Sequence, residues 1–404
     1  MRIFILVLTP ILLALSAGLI WLHTPTVEDK AFLEKLHADT RRVHESQQFV
    51  ANDPEQNGYL QPVARPIWDG SQRELPGELR LWIDTSSSLK AGKALEAPTR
   101  DAYEKAKPLL DALGEAFLKP HFVVPNRPIG AESPVVDMAV LKDCGFAMAG
   151  LMEYHASKGE IVAMSEVMTS TFKFAGTLGE GLYASQSLVG LMLSQYALET
   201  AVVSVPPDKV LSPDELRILA TLAGSYLPLD KTRLDETLRL DLGYTSLVMH
   251  GTVDETGKQT SNPVEFWTWK RMEKEVREMD NELVRSLKSP GSGLQDLREF
   301  RMAADFYRRR QLGFSLAVGV KCYRTKVGEL PTMLEQLAVC NIDPRPELHK
   351  PLGIDYKGGV INVDISKFEK DQIERWNERL SKVGQRWFEV RDGKLVFDAS
   401  KYEE

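Results

Sequence analysis

Ser170-Thr171-Phe172-Lys173 sets a hydroxyl and an amine one helical turn apart. This is the S-x-x-K spacing in which a lysine can take the proton of a nucleophilic serine. That chemistry also needs a Ser-Asp-Asn loop and a Lys-Thr-Gly strand to complete the site, and neither string occurs in the chain. A second S-x-x-K, Ser87 to Lys90, shows how readily the pattern arises. Ser170 and Lys173 therefore stand as weak catalytic candidates, and no residue is assigned to catalysis.

Glu34-Lys35-Leu36-His37 is an E-x-x-H motif, the spacing that puts a carboxylate and an imidazole on one face of a helix in carboxylate-bridged metal bundles. Such bundles need two copies, and this chain has one. His37 and His44, with Glu34 and Arg41, read as the solvated charged face of a stalk helix. His121, His155, His250 and His349 are scattered, and no two share a metal-ligand spacing with a cysteine. No metal site is expected. Without a G-x-S-x-G, a Walker loop or a dinucleotide fingerprint, no cofactor is expected either.

Three further groups invite a ligand. Arg308-Arg309-Arg310 has Asp305 in the preceding turn, and three charges in an acidic chain favour a solvated helix face over phosphate or headgroup binding. Trp267-Thr268-Trp269 could line a groove, although neighbouring tryptophans on a helix face different ways, one to the core and one half out. Met148, Met152, Met164, Met168 and Met192 offer flexible lining for an apolar-ligand cavity. Their helical spacing argues for core packing instead.

The elements that must carry these groups are mostly helices. The sequence has 404 residues, 43% of them apolar and 26% charged, with 50 Lys plus Arg against 57 Asp plus Glu for a net charge of −7. These values fit a globular protein with room for a sizeable core, and the acidic balance disfavours a dedicated nucleic-acid binder. Ile3 to Leu22 carries no charge and is long enough to cross a membrane. Arg2 precedes it and Glu28, Asp29 and Lys30 follow, so the positive-inside rule puts the amino terminus in the cytoplasm and the bulk of the chain outside it. A cleaved signal peptide would end near Ala14-Leu15-Ser16 and leave an apolar stub, so residues 1–23 are read as a retained inner-membrane anchor. Three cysteines, Cys144, Cys322 and Cys340, cannot frame a disulfide fold. Cys322 and Cys340 could bridge a helix to the following loop, or stay as buried thiols.

Helical periodicity runs from Val27 to about Asn52, and a Pro-, Gly- and Asn-rich stretch to Gly77 reads as an extended loop carrying Trp68. Helices are then expected at Glu78–Leu95, Pro98–Leu118, and about 134–156, 159–176 and 179–203. Ser212-Pro213-Asp214-Glu215 is a capping box with proline at the first helical position. Helices about Lys231–Met249, Pro263–Leu287 and Leu294–Thr325 follow. The period then changes to alternation. Ile354–Lys357 and Val360–Val363 flank Gly358-Gly359, and Trp387–Arg391 and Lys394–Phe397 flank Asp392-Gly393, two hairpins with two-residue turns. A helix from Phe368 to Val383 separates them. The fold class is mainly α: an anchor (1–23), a helical extracytoplasmic domain (24–293), and a long helix with a small α+β domain (294–404). A sheet that small needs one face covered. The long helix is expected to lie across it, with Ile354, Tyr356, Phe388 and Val390 on the covered face.

Tyr323-Arg324-Thr325-Lys326-Val327-Gly328-Glu329-Leu330-Pro331, continuing through Leu334 and Leu337, reads YR..hG.lP..L..L. With Thr177–Leu182, Ala197-Leu198-Glu199 and Leu211–Leu216, it resembles uncharacterised membrane-anchored helical envelope proteins of planctomycete-type bacteria, over about the last two thirds of the chain. The resemblance implies an architecture and no catalytic residue. The Tyr323–Leu337 segment is also locally similar to pseudopilins, whose cleavage motif does not precede Ile3, and Asp343-Pro344 runs on as Arg345-Pro346 where that envelope family has Asp-Pro-Phe-Gly. The expected function is binding or scaffolding in the cell envelope, with a protein partner met by an open strand edge of the carboxy-terminal domain. An envelope hydrolase with a site assembled from distant residues and an apolar-ligand carrier are the rival readings.

Overall fold

The computed structural model describes residues 27–69, 75–86, 89, 96–125, 138–181, 184–205, 209–230, 232–237, 239–241, 293–381 and 387–401. The expected anchor, Ser87, the helix from Pro263 and the Trp267–Trp269 pair lie outside the described residues. Among the described residues no helix is long and apolar enough to cross a membrane.

The described chain is mainly helical and ends in a small antiparallel sheet. Helix α1 (Val27–Ala51) buries Leu36, Thr40 and His44, a stripe at four-residue spacing. This corrects the solvated face expected there: Glu34 and Arg41 are exposed, whereas His44 is only 6% exposed and His37 half-buried. Asp39 pairs with Arg239 at 3.1 Å, so α1 is tied to the body. The stretch after it is ordered by one side chain. Asn57, fully buried, donates from Nδ2 to the carbonyls of Ala51 and Val123, both at 2.6 Å, and accepts on Oδ1 from the amides of Tyr59 and Val123. The expected extended loop is partly helical, with a 3-10 turn at Gly58–Leu60 and α2 at Arg65–Asp69. The Trp68 indole donates to the Tyr59 carbonyl.

Helices α3 (Gly77–Ser86) and α4 (Ala97–Leu118) pack on the central trio α5 (Met138–Ser157), α6 (Ile161–Gly179) and α7 (Ala184–Ser204). Trp82 of α3 is fully buried and donates to the Ala147 carbonyl of α5 at 2.9 Å. Gly190 lets α6 and α7 approach closely, since a Cβ there would sit 2.5 Å from the Ala175 carbonyl oxygen. Helix α8 (Pro213–Ser225) opens with the expected capping box: the Glu215 amide donates to Ser212 Oγ and the Ser212 amide to Glu215 Oε2.

Helix α9 (Gly293–Val327) is the spine of the second half. It packs on α8 and on the 3-10 helix Leu334–Cys340, and it crosses the sheet. After the short α10 (Pro346–His349) come β1 (Ile354–Lys357) and β2 (Val360–Asp364), then α11 (Lys370–Trp376), α12 (Glu378–Ser381), β3 (Glu389–Arg391) and β4 (Lys394–Asp398). The expected single helix between the hairpins is broken at Asn377. Gly358, Gly359, Asp392 and Gly393 all have positive φ, the geometry of the tight turns their dipeptides favour.

The sheet order is β1-β2-β4-β3, all antiparallel. Ile361, Val363, Leu395 and Phe397 are fully buried, and Gly313 of α9 faces them with no Cβ to displace the Phe397 ring. Ile354 and Tyr356 pair with Val363 and Ile361 and are half-buried. Val390 corrects the expectation. Its pairing with Leu395 puts it on the covered face, yet β3 is outermost and Val390 is 50% exposed. Trp387, just before β3, is buried and donates to the Val205 carbonyl at 2.8 Å, which ties the sheet to the end of α7.

Candidate functional site

Ser170 and Lys173 are on α6, and the helix separates their environments. Ser170 is 3% exposed and its hydroxyl donates to the Val167 carbonyl at 2.9 Å, while Lys173 is exposed. A serine that spends its proton on its own backbone is doing what serine commonly does inside a helix. Among the described residues no cluster of three or more His, Cys, Asp or Glu side chains could hold a metal ion.

The arginine run is where the structure departs most from expectation. Successive helical residues are about 100° apart around the axis, so Arg308, Arg309 and Arg310 reach three different elements. Arg308 donates to the Pro228 carbonyl at 2.6 Å, and its burial lowers its pKa. Arg309, 6% exposed, donates to the carbonyls of Pro351, Leu352 and Asp364 and pairs with Asp305. Arg310, 1% exposed, donates to Glu199 Oε1 at 2.7 Å and to Gln195 Oε1 on α7, and to Asn377 Oδ1 and the Trp376 carbonyl at the α11–α12 break. Its guanidinium lies 5.2 Å from the centre of the Tyr307 ring, and burial pushes the Tyr307 phenol up to about 12. These arginines are fasteners, which corrects the solvated face read from the sequence. Three donors around Arg310 have no protein partner among the described residues: its own Nε, Gln195 Nε2 and Asn377 Nδ2.

The neighbouring residue extends the polar seam to a cleft. Gln311 is fully buried, donates to the carbonyls of Ala223 and Tyr226, and accepts from the Ser194 hydroxyl at 3.3 Å. Ser194 and Tyr226 line a cleft of about 300 Å³ between α6, α7, the segment after α8 and the first half of α9. The cleft runs between two apolar clusters. Leu191, Leu234, Phe300 and Ala304 form the smaller one and supply one wall, while Phe172 and Ala175 belong to the main core and supply the other. Its floor holds the end of α6, where the Gly179 carbonyl accepts from the hydroxyls of Ser187 and Thr237. Arg233 and Glu180 lie on its lining, joined at 2.8 Å and both largely exposed. The lining mixes hydroxyls and main-chain groups with apolar side chains, and the Arg233–Glu180 pair on it is already neutralised, which suits an uncharged body with apolar surface.

The methionines do not line this space. Met148, Met152, Met164 and Met168 are 0–1% exposed in the main core and Met192 is half-buried. The walls come instead from glycines, serines and leucines in four separated segments, which carry no local signal of a cavity. Of the lining glycines, Gly176 faces open space, with nothing within 4 Å of where its Cβ would stand, whereas Gly179 and Gly190 sit at close contacts. Comparison with family models, with characterised proteins and with solved structures finds no match to this chain.

Proposed function

We propose that the chain is a binding or scaffolding protein of the bacterial cell envelope, held by residues 3–22 with its amino terminus in the cytoplasm and its folded part outside. The likeness of Tyr323–Leu337 to the envelope family supports the same reading. The observation that carries it is an outer edge of the sheet that no described strand covers. Strand β3 is outermost, all three of its residues are exposed, and Val390 offers an apolar side chain on that edge. A partner's extended segment can add there by main-chain hydrogen bonds, with Val390 as the side-chain contact. A photo-crosslinking residue at Val390 in intact cells is expected to trap one discrete protein partner, and V390K to remove a partner trapped from a neighbouring position, because a lysine blunts an edge against strand addition. No trapped partner, or one indifferent to V390K, would sink the reading.

The cleft favours a second reading, a carrier of an apolar ligand. Solvent extraction of the full chain purified in a detergent foreign to its host, followed by mass spectrometry, is expected to release one uncharged apolar compound in near-equal amount. An empty protein defeats the carrier without touching the edge-strand proposal.

A further inference from the structure

Two of the three cysteines meet at the foot of α9. Cys322 is in its last turns, 1% exposed, and Cys340 is the last residue of the 3-10 helix Leu334–Cys340, 2% exposed. The two elements are pressed together one turn earlier, where a Cβ on Gly319 would lie 3.1 Å from Leu337 and 3.5 Å from Ile342. Cys322 follows Gly319 by one turn of α9 and Cys340 lies between Leu337 and Ile342, so this contact brings the two cysteines side by side, and Cys322 Sγ donates to the Pro213 carbonyl at 3.3 Å. Cys144, buried in α5, belongs to a different part of the core. Two buried cysteines on elements packed this closely can approach the short Cβ–Cβ separation that a disulfide requires.

We infer that Cys322 and Cys340 form a disulfide when the chain encounters a protein or small-molecule disulfide. One cysteine thiolate attacks the oxidant's S–S bond and releases one oxidant thiol, leaving a mixed disulfide. The second cysteine displaces the other oxidant thiol from it. Two cysteine S–H bonds are lost and one S–S bond is formed, and two electrons and two protons leave on the two thiols of the reduced oxidant. The bond closes a short loop that contains Gly328 and Pro331, locking the Tyr323–Leu337 segment against α9. Buried thiols are poor nucleophiles, so the bond forms as the chain folds or during local opening, and afterwards it is structural.

The test uses the full chain and does not depend on where the protein resides. The reduced protein is incubated in graded mixtures of reduced and oxidised glutathione, once folded and once during refolding from urea. It is then acid-quenched, unfolded and blocked with maleimide. The expected product carries one maleimide, on Cys144, with a peptide joining Cys322 to Cys340 that dithiothreitol separates, and its melting midpoint is raised by roughly 5 °C. C322S and C340S should each carry two maleimides and no joined peptide. Three maleimides at every glutathione ratio, glutathione adducts without the joined peptide, or a bond from either cysteine to Cys144 would overturn the assignment.

Discussion

Helix α9 is fastened twice, by opposite means. Near its middle, Arg309 and Arg310 reach outward with long charged side chains and gather loop carbonyls, α7 and the α11–α12 break. One turn later Gly313 does the reverse, withholding a side chain so that Phe397 and Val363 can come against the backbone, with Phe314 edge-on to Trp387 at 5.3 Å. The dry contact gains from dispersion and apolar burial and leaves no polar group behind. The charged contact is directional. It fixes which carbonyl sits where, but it strands three buried donors, and a buried ion pair seldom adds much net stability. The difference teaches that one helix can take its stability from one contact and its register from another.

The comparison breaks most sharply at the ion pair. Arg310→Met leaves the Glu199 carboxylate buried against an apolar side chain and should cost about 3–5 kcal/mol in denaturant unfolding. Adding Glu199→Leu removes the stranded charge and should recover most of that loss, the coupling appearing in a double-mutant cycle. If the double variant is as unstable as the single one, the pair is not a matter of register.

The dry contact is probed by Gly313→Ala. Alanine gains up to about 1 kcal/mol of helix propensity, but its Cβ would sit 2.4 Å from the fully buried Phe397 ring. Overpacking costs about 1–3 kcal/mol, so a net destabilisation of about 1–2 kcal/mol is expected. A stabilised variant would show that the ring has room to move.

The two contacts should also separate in alkali. Burial raises the Tyr307 phenol to about 12 in the folded chain, against about 10 when unfolded. Between those values the folded state holds a proton that the unfolded state has lost, so stability is fully present below pH 10 and falls as pH rises towards 12. Melting midpoints should hold from pH 8 to about pH 10 and decline from there towards pH 12, and Tyr307→Phe should flatten that decline. A local reference is Ser212→Ala, which removes the α8 cap and should cost about 1 kcal/mol without altering either contact.

What could be read from the sequence was local. Asp392-Gly393 and Gly358-Gly359 announced their turns because the required φ values reside in the dipeptide itself, and Ser212-Pro213-Asp214-Glu215 announced α8 because both halves of the capping box lie within four residues. Arg310 could not be read as a fastener, since Gln195, Glu199 and Asn377 are far from it along the chain and only the packed fold brings them together. Val390 shows the boundary between the two cases: alternation gave its face correctly, but its exposure follows from the strand order, which alternation does not contain. Ser170 and the cleft show it again. The motif was visible and is spent on the helix backbone, while the cavity, drawn from four segments, had no motif to show.

The indole bond from Trp387 to the Val205 carbonyl has a kinetic consequence. It joins groups 182 positions apart, and loops of that length close slowly and late because their ordering entropy must be met before any contact rewards it. During synthesis, helices α6 to α8 would wait with the surface that α9 and the sheet later cover still open to water. For most of that time the chain would be a partly assembled intermediate with sticky apolar surface, the kind of species that chaperones hold.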